Sequence, residues 1–136
     1  MLSLFIDGPS KVSGAVSAGG NKNAVLPMIA AAMLTEEEVV LHNVPDIIDV
    51  ENMLHLAAEL GAHVRREGST VILKAENLKT NRLPKEICSA LRTSLLFAGP
   101  LAARTGSATL WPPGGDVIGR RRLDAHFYGL RKLGIQ

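Results

Sequence analysis

The chain has 136 residues, 46% hydrophobic and 21% charged, a balance typical of one soluble domain rather than a disordered or membrane-spanning chain. Its one cysteine, Cys88, excludes an intrachain disulfide and a thiolate metal cluster, and predicts a reducing, cytoplasmic location. Net charge is +2, but residues 120–136 hold five bases and one acid, against ten bases and twelve acids earlier. This concentration favours an anionic ligand over broad nucleic-acid binding.

The first half of the chain predicts strands followed by two helices and a hairpin. Residues 2–6 and 11–17 read as short strands separated by the Gly8-Pro9 turn. Residues 23–34 predict an alanine-rich helix, in which Pro27 is tolerated only in the first turn. The remaining elements of this half are, in chain order, a strand over 38–42, a helix over 50–60 capped by Gly61, and a hairpin of 62–66 and 70–75.

The second half predicts a helix, a strand and a final helix. Pro84 opens the first helix, whose end or kink is expected at Gly99-Pro100. Its apolar stripe consists of Ile87, Leu91, Leu95 and Ala98. Residues 107–111 read as a strand, and residues 123–133 read as a helix stopped at Gly134.

The two halves repeat each other, since residues 51–61 match residues 124–134 at a constant offset of 73. A repeat of this length buries one face of each unit against its neighbours. The second copy stops at Gln136 without the hairpin that follows Gly61, so the chain is expected to be part of a longer protein. Apolar faces left open between repeats predict self-association or marginal stability.

Two glycines and a helix start form the first candidate site. Gly19-Gly20 leads into Asn21, Lys22 and Asn23 at the predicted start of a helix, where free backbone N–H groups favour phosphate or carboxylate. Local sequence alone favours an ordinary capped helix with one exposed lysine, because the pattern is not a Walker loop.

The other candidates lie in the second half. Arg92 is off the apolar stripe of its helix, where a surface role and a phosphate-binding role both remain open. The loop over residues 112–119 holds two prolines and three glycines, so it is either mobile or shaped for close ligand approach. Asp116 at its middle is either a solvated turn residue or a general acid. The four histidines lack metal-ligand spacing, and no metal or cofactor is expected.

Several motifs in the same order along the chain carry a family resemblance. They are residues 20–27 (GNKNAVLP), 43–45 with Asp49-Val50, 59–62, 91–94 (LRTS), and 113–119 (PGGDVIG) with Arg121, Asp124 and His126. Together they resemble the enolpyruvyl transferase family, in its UDP-N-acetylglucosamine 1-carboxyvinyltransferase branch, which acts in peptidoglycan precursor synthesis.

The resemblance implies an α/β (α+β) fold, an inside-out barrel of repeated β-α-β-α-β-β units. The chain would hold about one and a half units: a first repeat over 21–80 and an incomplete second over 81–136. Residues 1–20 would be strands of a partner domain, and the missing C-terminal part of the same enzyme would be a partner. Because that part supplies further catalytic groups, the chain alone is expected to be inactive.

The resemblance also implies residue roles in transferring the enolpyruvyl group of phosphoenolpyruvate to the 3′-hydroxyl of UDP-N-acetylglucosamine. Lys22 and Asn23 would contact phosphoenolpyruvate, and Lys22 and Arg92 would also be catalytic. Asp116 would be the general acid. The residues facing the sugar nucleotide would be Arg92, Arg121, Arg122, Leu123, Asp124 and Ala125.

Two positions depart from the family pattern. Most members have cysteine where this chain has Asp116, and proline where it has Arg122. Fosfomycin alkylates that cysteine, and a carboxylate is a poorer nucleophile toward an epoxide, so resistance is expected.

Three alternatives stay open. One is the related 3-phosphoshikimate enolpyruvyl transferase, which the Pro-Gly-Gly-Asp loop disfavours. Another is a non-catalytic sugar-nucleotide-binding or interaction module. The third is RNA binding, which is disfavoured because the chain has too few aromatic residues to stack on bases.

Overall fold

The computed structural model describes residues 3–114 and 122–135, which combine helices with one small sheet. The α-helices are α1 (Lys22–Ala32), α2 (Ile48–Glu59), α3 (Lys85–Ala90), α4 (Ala98–Thr105) and α5 (Asp124–Lys132), and a 3-10 helix spans Arg92–Phe97. The strands are β1 (Glu38–Leu41), β2 (His63–Glu67) and β3 (Thr70–Lys74). The sheet order is β1-β3-β2, and β3 runs antiparallel to both neighbours.

The hydrophobic core lies where α1, α2 and the 3-10 helix pack together and against the sheet. It is built mainly from aliphatic side chains, as the low aromatic content predicts. Residues with less than 2% exposure include Ile29, Met33, Val50, Met53, Leu56, Leu60, Val71, Leu73, Leu83, Cys88, Phe97 and Leu101. Cys88 is therefore a small core residue, and its thiol is shielded from solvent.

The predicted elements of residues 22–75 are confirmed. Helix α1, strand β1, helix α2 and the β2–β3 hairpin each lie within two residues of their predicted bounds. Gly61 follows α2 with a φ of +113°, a conformation that side chains rarely adopt. Pro27, however, is the sixth residue of α1, so the helix tolerates it beyond the first turn at the cost of one backbone hydrogen bond.

The predicted strands at the start of the chain do not form. Residues 3–20 contain no helix or strand, and the apolar side chains of this segment are 83–97% exposed at Leu4, Phe5, Ile6, Val12 and Val16. A strand needs a hydrogen-bonding neighbour and an apolar surface to cover, and residues 3–20 find neither among the described residues. The assignment of residues 1–20 to a partner domain remains a prediction.

The predicted helix after Pro84 breaks earlier than expected. Leu91 adopts an extended conformation, with φ −130° and ψ 112°, and separates α3 from the 3-10 helix. The prediction of an end at Gly99-Pro100 was wrong because Pro100 falls in the first turn of α4, where a missing N–H is harmless. The predicted strand at 107–111 is reduced to one parallel bridge between Arg82 and Thr109.

Arg104, in the last turn of α4, connects this helix to the segments that follow α1 and β3. Its guanidinium donates hydrogen bonds to the carbonyl oxygens of Met33 and Thr35, beyond the end of α1, and to Ala75 and Glu76, beyond the end of β3. It also pairs with the Glu36 carboxylate at 3.1 Å, and its side chain is only 14% exposed. Through these five acceptors, one largely buried arginine links α4 to α1 and to the sheet.

The final helix, α5, forms as predicted but packs loosely. None of its residues is buried, and Phe127, Tyr128 and Leu133 are among the exposed large hydrophobic side chains. Cavities of about 390 and 550 Å³ lie along it and are also lined by α4. In residues 3–114 and 122–135, no helix has the length and apolar character required to cross a bilayer.

Candidate functional site

The start of α1 is built to leave a positive helix end open. Asn21 is the N-cap, and its side-chain oxygen accepts a hydrogen bond from the Ala24 N–H at 3.1 Å. No acidic residue lies in the first turn, so the positive end of the helix dipole carries no carboxylate of its own helix. Gly20 is required here, because a Cβ at this position would lie 1.8 Å from the Asn43 carbonyl oxygen.

Lys22, the first residue of α1, reaches across to the first turn of α2. Its Nζ donates a hydrogen bond to Asp49 Oδ2 at 2.7 Å, and the two side chains are 49% and 33% exposed. The ammonium is thus held in one direction while about half of the side chain still faces solvent. Asn23, the next residue, is exposed on the same first turn.

Arg92 lies at the start of the 3-10 helix rather than in the middle of a continuous helix. The extended conformation of Leu91 ends α3 immediately before it, and the Arg92 side chain is half-buried. The 3-10 helix packs against both α1 and α2, so the elements that carry Lys22, Asp49 and Arg92 contact one another. The two hydroxyl oxygens that follow, Thr93 Oγ1 and Ser94 Oγ, are buried without a hydrogen-bond partner among the described residues.

The glycine-rich loop is anchored where it begins. The Gly114 N–H donates to the Cys88 carbonyl oxygen at 2.9 Å. A Cβ on Gly114 would lie 1.5 Å from the Ser89 carbonyl oxygen, so this glycine permits close approach to the end of α3, not to a ligand. Asp116 and Arg121 lie outside the described residues, and their predicted roles stay predictions.

Four of the residues predicted to face the sugar nucleotide, Arg122, Leu123, Asp124 and Ala125, lie at the start of α5. Arg122 Nε donates to Asp124 Oδ2 at 2.5 Å, and both side chains are largely exposed. Leu123 is half-buried, and Ala125 lines the cavity of about 390 Å³ between α5 and the 3-10 helix–α4 segment. Asp124 is the first residue of α5, where a carboxylate is favoured by the helix dipole.

The structure therefore brings Asp49 to the start of α1, and the 3-10 helix that begins at Arg92 packs against both helices. Sequence reasoning included Asp49 in a motif but gave it no role, because 27 residues separate it from Lys22. It also overlooked the buried hydroxyls of Thr93 and Ser94, which the motif at residues 91–94 signals. Within the described ranges, no cluster of histidine, cysteine and acidic side chains has a geometry that could hold a metal ion.

Comparison with known proteins finds relatives that are much longer than this chain. UDP-N-acetylglucosamine 1-carboxyvinyltransferases of Treponema denticola and Borreliella burgdorferi are 51% and 46% identical, with 100% of this chain and 32% of each relative aligned. The enzyme of that name from Treponema pallidum is 52% identical over 96% of this chain and 31% of its own length. The chain thus spans about a third of the length of these curated relatives.

A solved structure and a family model also match this chain, and both point to the same class of enzyme as these relatives. The crystal structure of the enolpyruvyl transferase NikO from Streptomyces tendae matches with a TM-score of 0.65 and 28% identity, over 74% of this chain and 24% of that chain. The predicted mixed helix-and-strand fold and the family resemblance are thereby confirmed. The family model described as EPSP synthase (3-phosphoshikimate 1-carboxyvinyltransferase) matches residues 6–136, and the chain belongs to that family.

Proposed function

We propose that this chain is the N-terminal part of a UDP-N-acetylglucosamine 1-carboxyvinyltransferase acting in the cytoplasm in peptidoglycan precursor synthesis. The proposal takes the substrate from the names of relatives that are 44–52% identical to the chain. One observation in the structure carries it. The half-exposed Lys22 side chain stands at an open helix N-terminus and its ammonium is paired with Asp49, an arrangement that suits an anionic substrate.

Phosphoenolpyruvate binds, in this proposal, at the start of α1. Lys22 offers a mobile point charge with three N–H donors, of which one is used by Asp49. The exposed Asn23 side chain adds a neutral donor on the same turn. A phosphate or carboxylate that reaches this turn meets positive charge from both the ammonium and the helix dipole.

The sugar nucleotide binds between Arg92 and the region before α5. Arg92 faces the nucleotide, and its planar guanidinium suits a phosphate oxygen pair. Arg121, Arg122, Leu123, Asp124 and Ala125 line the uridine end. The cavity beside Ala125 and the exposed Arg122–Asp124 pair support a ligand-accessible surface at this place.

Asp116 is the general acid in the proposed reaction. It protonates the methylene carbon of phosphoenolpyruvate while the 3′-hydroxyl of the sugar attacks the adjacent carbon and gives its proton to a base in the remaining part of the enzyme. Phosphate then leaves that carbon, and a proton leaves the new methyl group, which restores the enolpyruvyl double bond. Arg92 and Lys22 stabilise the charge on the phosphate during these steps. An aspartate does this work at neutral pH only where a closed site or a nearby phosphate favours its protonated form.

The rest of the relatives' length is the proposed partner of this chain. The segment of residues 3–20, which forms no helix or strand, carries exposed apolar side chains, and these suit a strand that completes a sheet of a second domain. The open faces of α5 would otherwise favour self-association. Closure of two domains is what excludes water in such a reaction, so the 136 residues alone are proposed to be inactive.

A chimaera tests the function. This chain would replace the matching third of the Treponema denticola relative, and phosphate release would be measured with both substrates. Activity that falls at least about tenfold in Lys22→Met and in Arg92→Met, each removing a charge-assisted contact, supports the proposal. The matched control is Lys74→Met, because Lys74 is a half-exposed lysine on β3 whose ion pair among the described residues is with Glu76.

The outcomes separate the alternatives. An inactive chimaera that still binds UDP-N-acetylglucosamine identifies a non-catalytic binding module. Activity on 3-phosphoshikimate instead assigns the other branch of the family. Phosphate release by the unmodified 136-residue chain, dependent on both substrates, contradicts the proposed need for a partner.

Fosfomycin provides a second test, focused on Asp116. The chimaera is expected to keep its activity during prolonged incubation with the drug, because a carboxylate opens an epoxide far more slowly than a thiolate does. The matched Asp116→Cys variant should lose activity with time and gain the mass of one drug molecule. A covalent adduct on the loop of the unsubstituted chimaera contradicts the expectation.

A further inference from the structure

Two acidic residues in the first turn of α2 make different contacts. Glu51 pairs with Arg66, which also donates to the carbonyl oxygens of Gly68 and Val44, so this carboxylate belongs to a structural link between α2 and the hairpin. Asp49 pairs instead with Lys22 at 2.7 Å, and this lysine is half exposed. Within the described residues, the hydrogen bonds of the Lys22 ammonium go to Asp49 alone.

A lysine needs such a contact if its ammonium is to meet a small anion in one orientation. Its four-carbon side chain has many rotamers, and ordering it costs conformational entropy. The contact with Asp49 orders the lysine side chain in the folded chain, before any ligand arrives. The position of Asp49 in the first turn of α2 stabilises its carboxylate, because the helix dipole is positive at that end and Ile47 provides no side-chain cap.

We propose that Asp49 is a positioning residue for Lys22, an inference that rests on the proposed function. The carboxylate holds one N–H of the ammonium and leaves two directed outward, toward the phosphate or carboxylate of phosphoenolpyruvate. Asp49 touches no reacting atom in this role. It acts by fixing the direction of the lysine at the open end of α1.

The sign of the effect distinguishes positioning from simple repulsion. As a negative charge close to the site, Asp49 would on its own weaken anion binding, and its removal would then tighten binding. Because both side chains are partly exposed, water and salt screen that repulsion. The ordering effect therefore dominates, and removal of the carboxylate weakens binding.

The first measurement follows the lysine directly in the full 136-residue chain. A proton–nitrogen correlation spectrum of the ammonium groups should show Lys22 as a protected signal, assigned by its loss in Lys22→Met. In Asp49→Asn that signal should disappear into exchange with water, and in Asp49→Glu it should return. Glu59→Gln is the matched control, because Glu59 is an exposed acid at the other end of α2 paired with His55.

The second measurement titrates phosphoenolpyruvate into the same variants. Asp49→Asn should raise the dissociation constant about fivefold and Lys22→Met at least about tenfold, whereas Glu59→Gln leaves it unchanged. The double variant Lys22→Met/Asp49→Asn should bind no more weakly than Lys22→Met alone, because Asp49 acts through the lysine. Thermal unfolding of each variant separates these effects from lost stability.

Each outcome bears on one claim. A protected Lys22 signal in Asp49→Asn, or tighter phosphoenolpyruvate binding by that variant, overturns the positioning role. If Lys22→Met leaves phosphoenolpyruvate binding unchanged while the ammonium signal still depends on Asp49, the proposed substrate site is overturned and the pair is only a link between helices. Additive losses in the double variant show that Asp49 acts independently of Lys22 and also overturn the inference.

Discussion

Helices α2 and α5 occupy equivalent places in the repeat predicted from the sequence, yet one is buried and the other is not. Helix α2 buries five residues and packs against α1 and β2, whereas α5 buries none. The contrast is sharpest at Leu60 and Leu133, which are related by the offset of 73 and are 0% and 81% exposed. Both are followed by a glycine with positive φ, so the local chain geometry is the same.

The difference shows that an amphipathic pattern determines a helix but not its burial. In the first repeat, the β2–β3 hairpin directly follows α2, and β2 packs on it. The described residues after α5 form no hairpin, and at offset 73 the buried Met53 and Leu56 correspond to His126 and Gly129. A helix gains most of its stability from the surface that covers it, so α5 should contribute little to the free energy of unfolding.

The largest expected effect compares Leu60→Ala with Leu133→Ala. Leu60→Ala should lower the free energy of unfolding by about 3 kcal/mol, because it opens a cavity in a closed core. Leu133→Ala should change it by less than about 0.5 kcal/mol, as expected for an exposed site. Urea unfolding measures both. Equal losses would show that α5 is buried in solution and would remove the contrast.

The next effect concerns the link between the halves. Arg104→Met should lower the free energy of unfolding by about 2 kcal/mol, because several partly buried carbonyl groups lose their donor. Arg131→Met, which removes an exposed arginine from the last turn of α5, is the matched control. The same urea titration applies. A loss at position 131 as large as that at 104 would place α5 in the cooperative core.

The smallest expected difference in stability is between alanine substitutions at the two glycines that follow α2 and α5. Gly134→Ala should cost about 1 kcal/mol, since its positive φ is strained for alanine while the space around it is open. Gly61→Ala should cost about 2 kcal/mol, because its Cβ would also lie 2.6 Å from the Asn77 carbonyl oxygen. Melting temperatures of the two variants and the parent chain provide the measurement. Identical shifts would mean that backbone conformation alone decides both costs.

Much of the fold could be predicted because local signals and packing agree in residues 22–75. Helix α1, helix α2 and the hairpin each combine an apolar period with glycine or asparagine at a boundary. The errors arose where a distant neighbour decides the outcome. Residues 3–20 have strand-like composition but no partner strand, and Leu91 breaks the helix although Gly99-Pro100 carries the stronger local signal.

The candidate site could be predicted in part. The glycines before a helix single out Lys22 and Asn23, although local sequence alone favoured an ordinary capped helix, and the structure places both residues at the open start of α1. Their role in binding phosphoenolpyruvate came from the family resemblance and stays a prediction. Asp49 could not be recognised as the partner of Lys22, because no local pattern joins two residues on different helices. Nor could the sequence show that Gly114 packs on the Ser89 carbonyl, since that role depends on a contact across 25 residues.

Because Cys88 is buried, the rate at which its thiol is labelled can report local opening of the core around α3. It is the sole cysteine of the chain, and its side chain has no exposed surface in the core next to α3. A thiol reagent added to the folded chain can react only after α3 separates from its neighbours, so the labelling rate reports how often that happens. The same shielding means that a cysteine introduced on the surface would be the one site where a spectroscopic probe attaches to the native state.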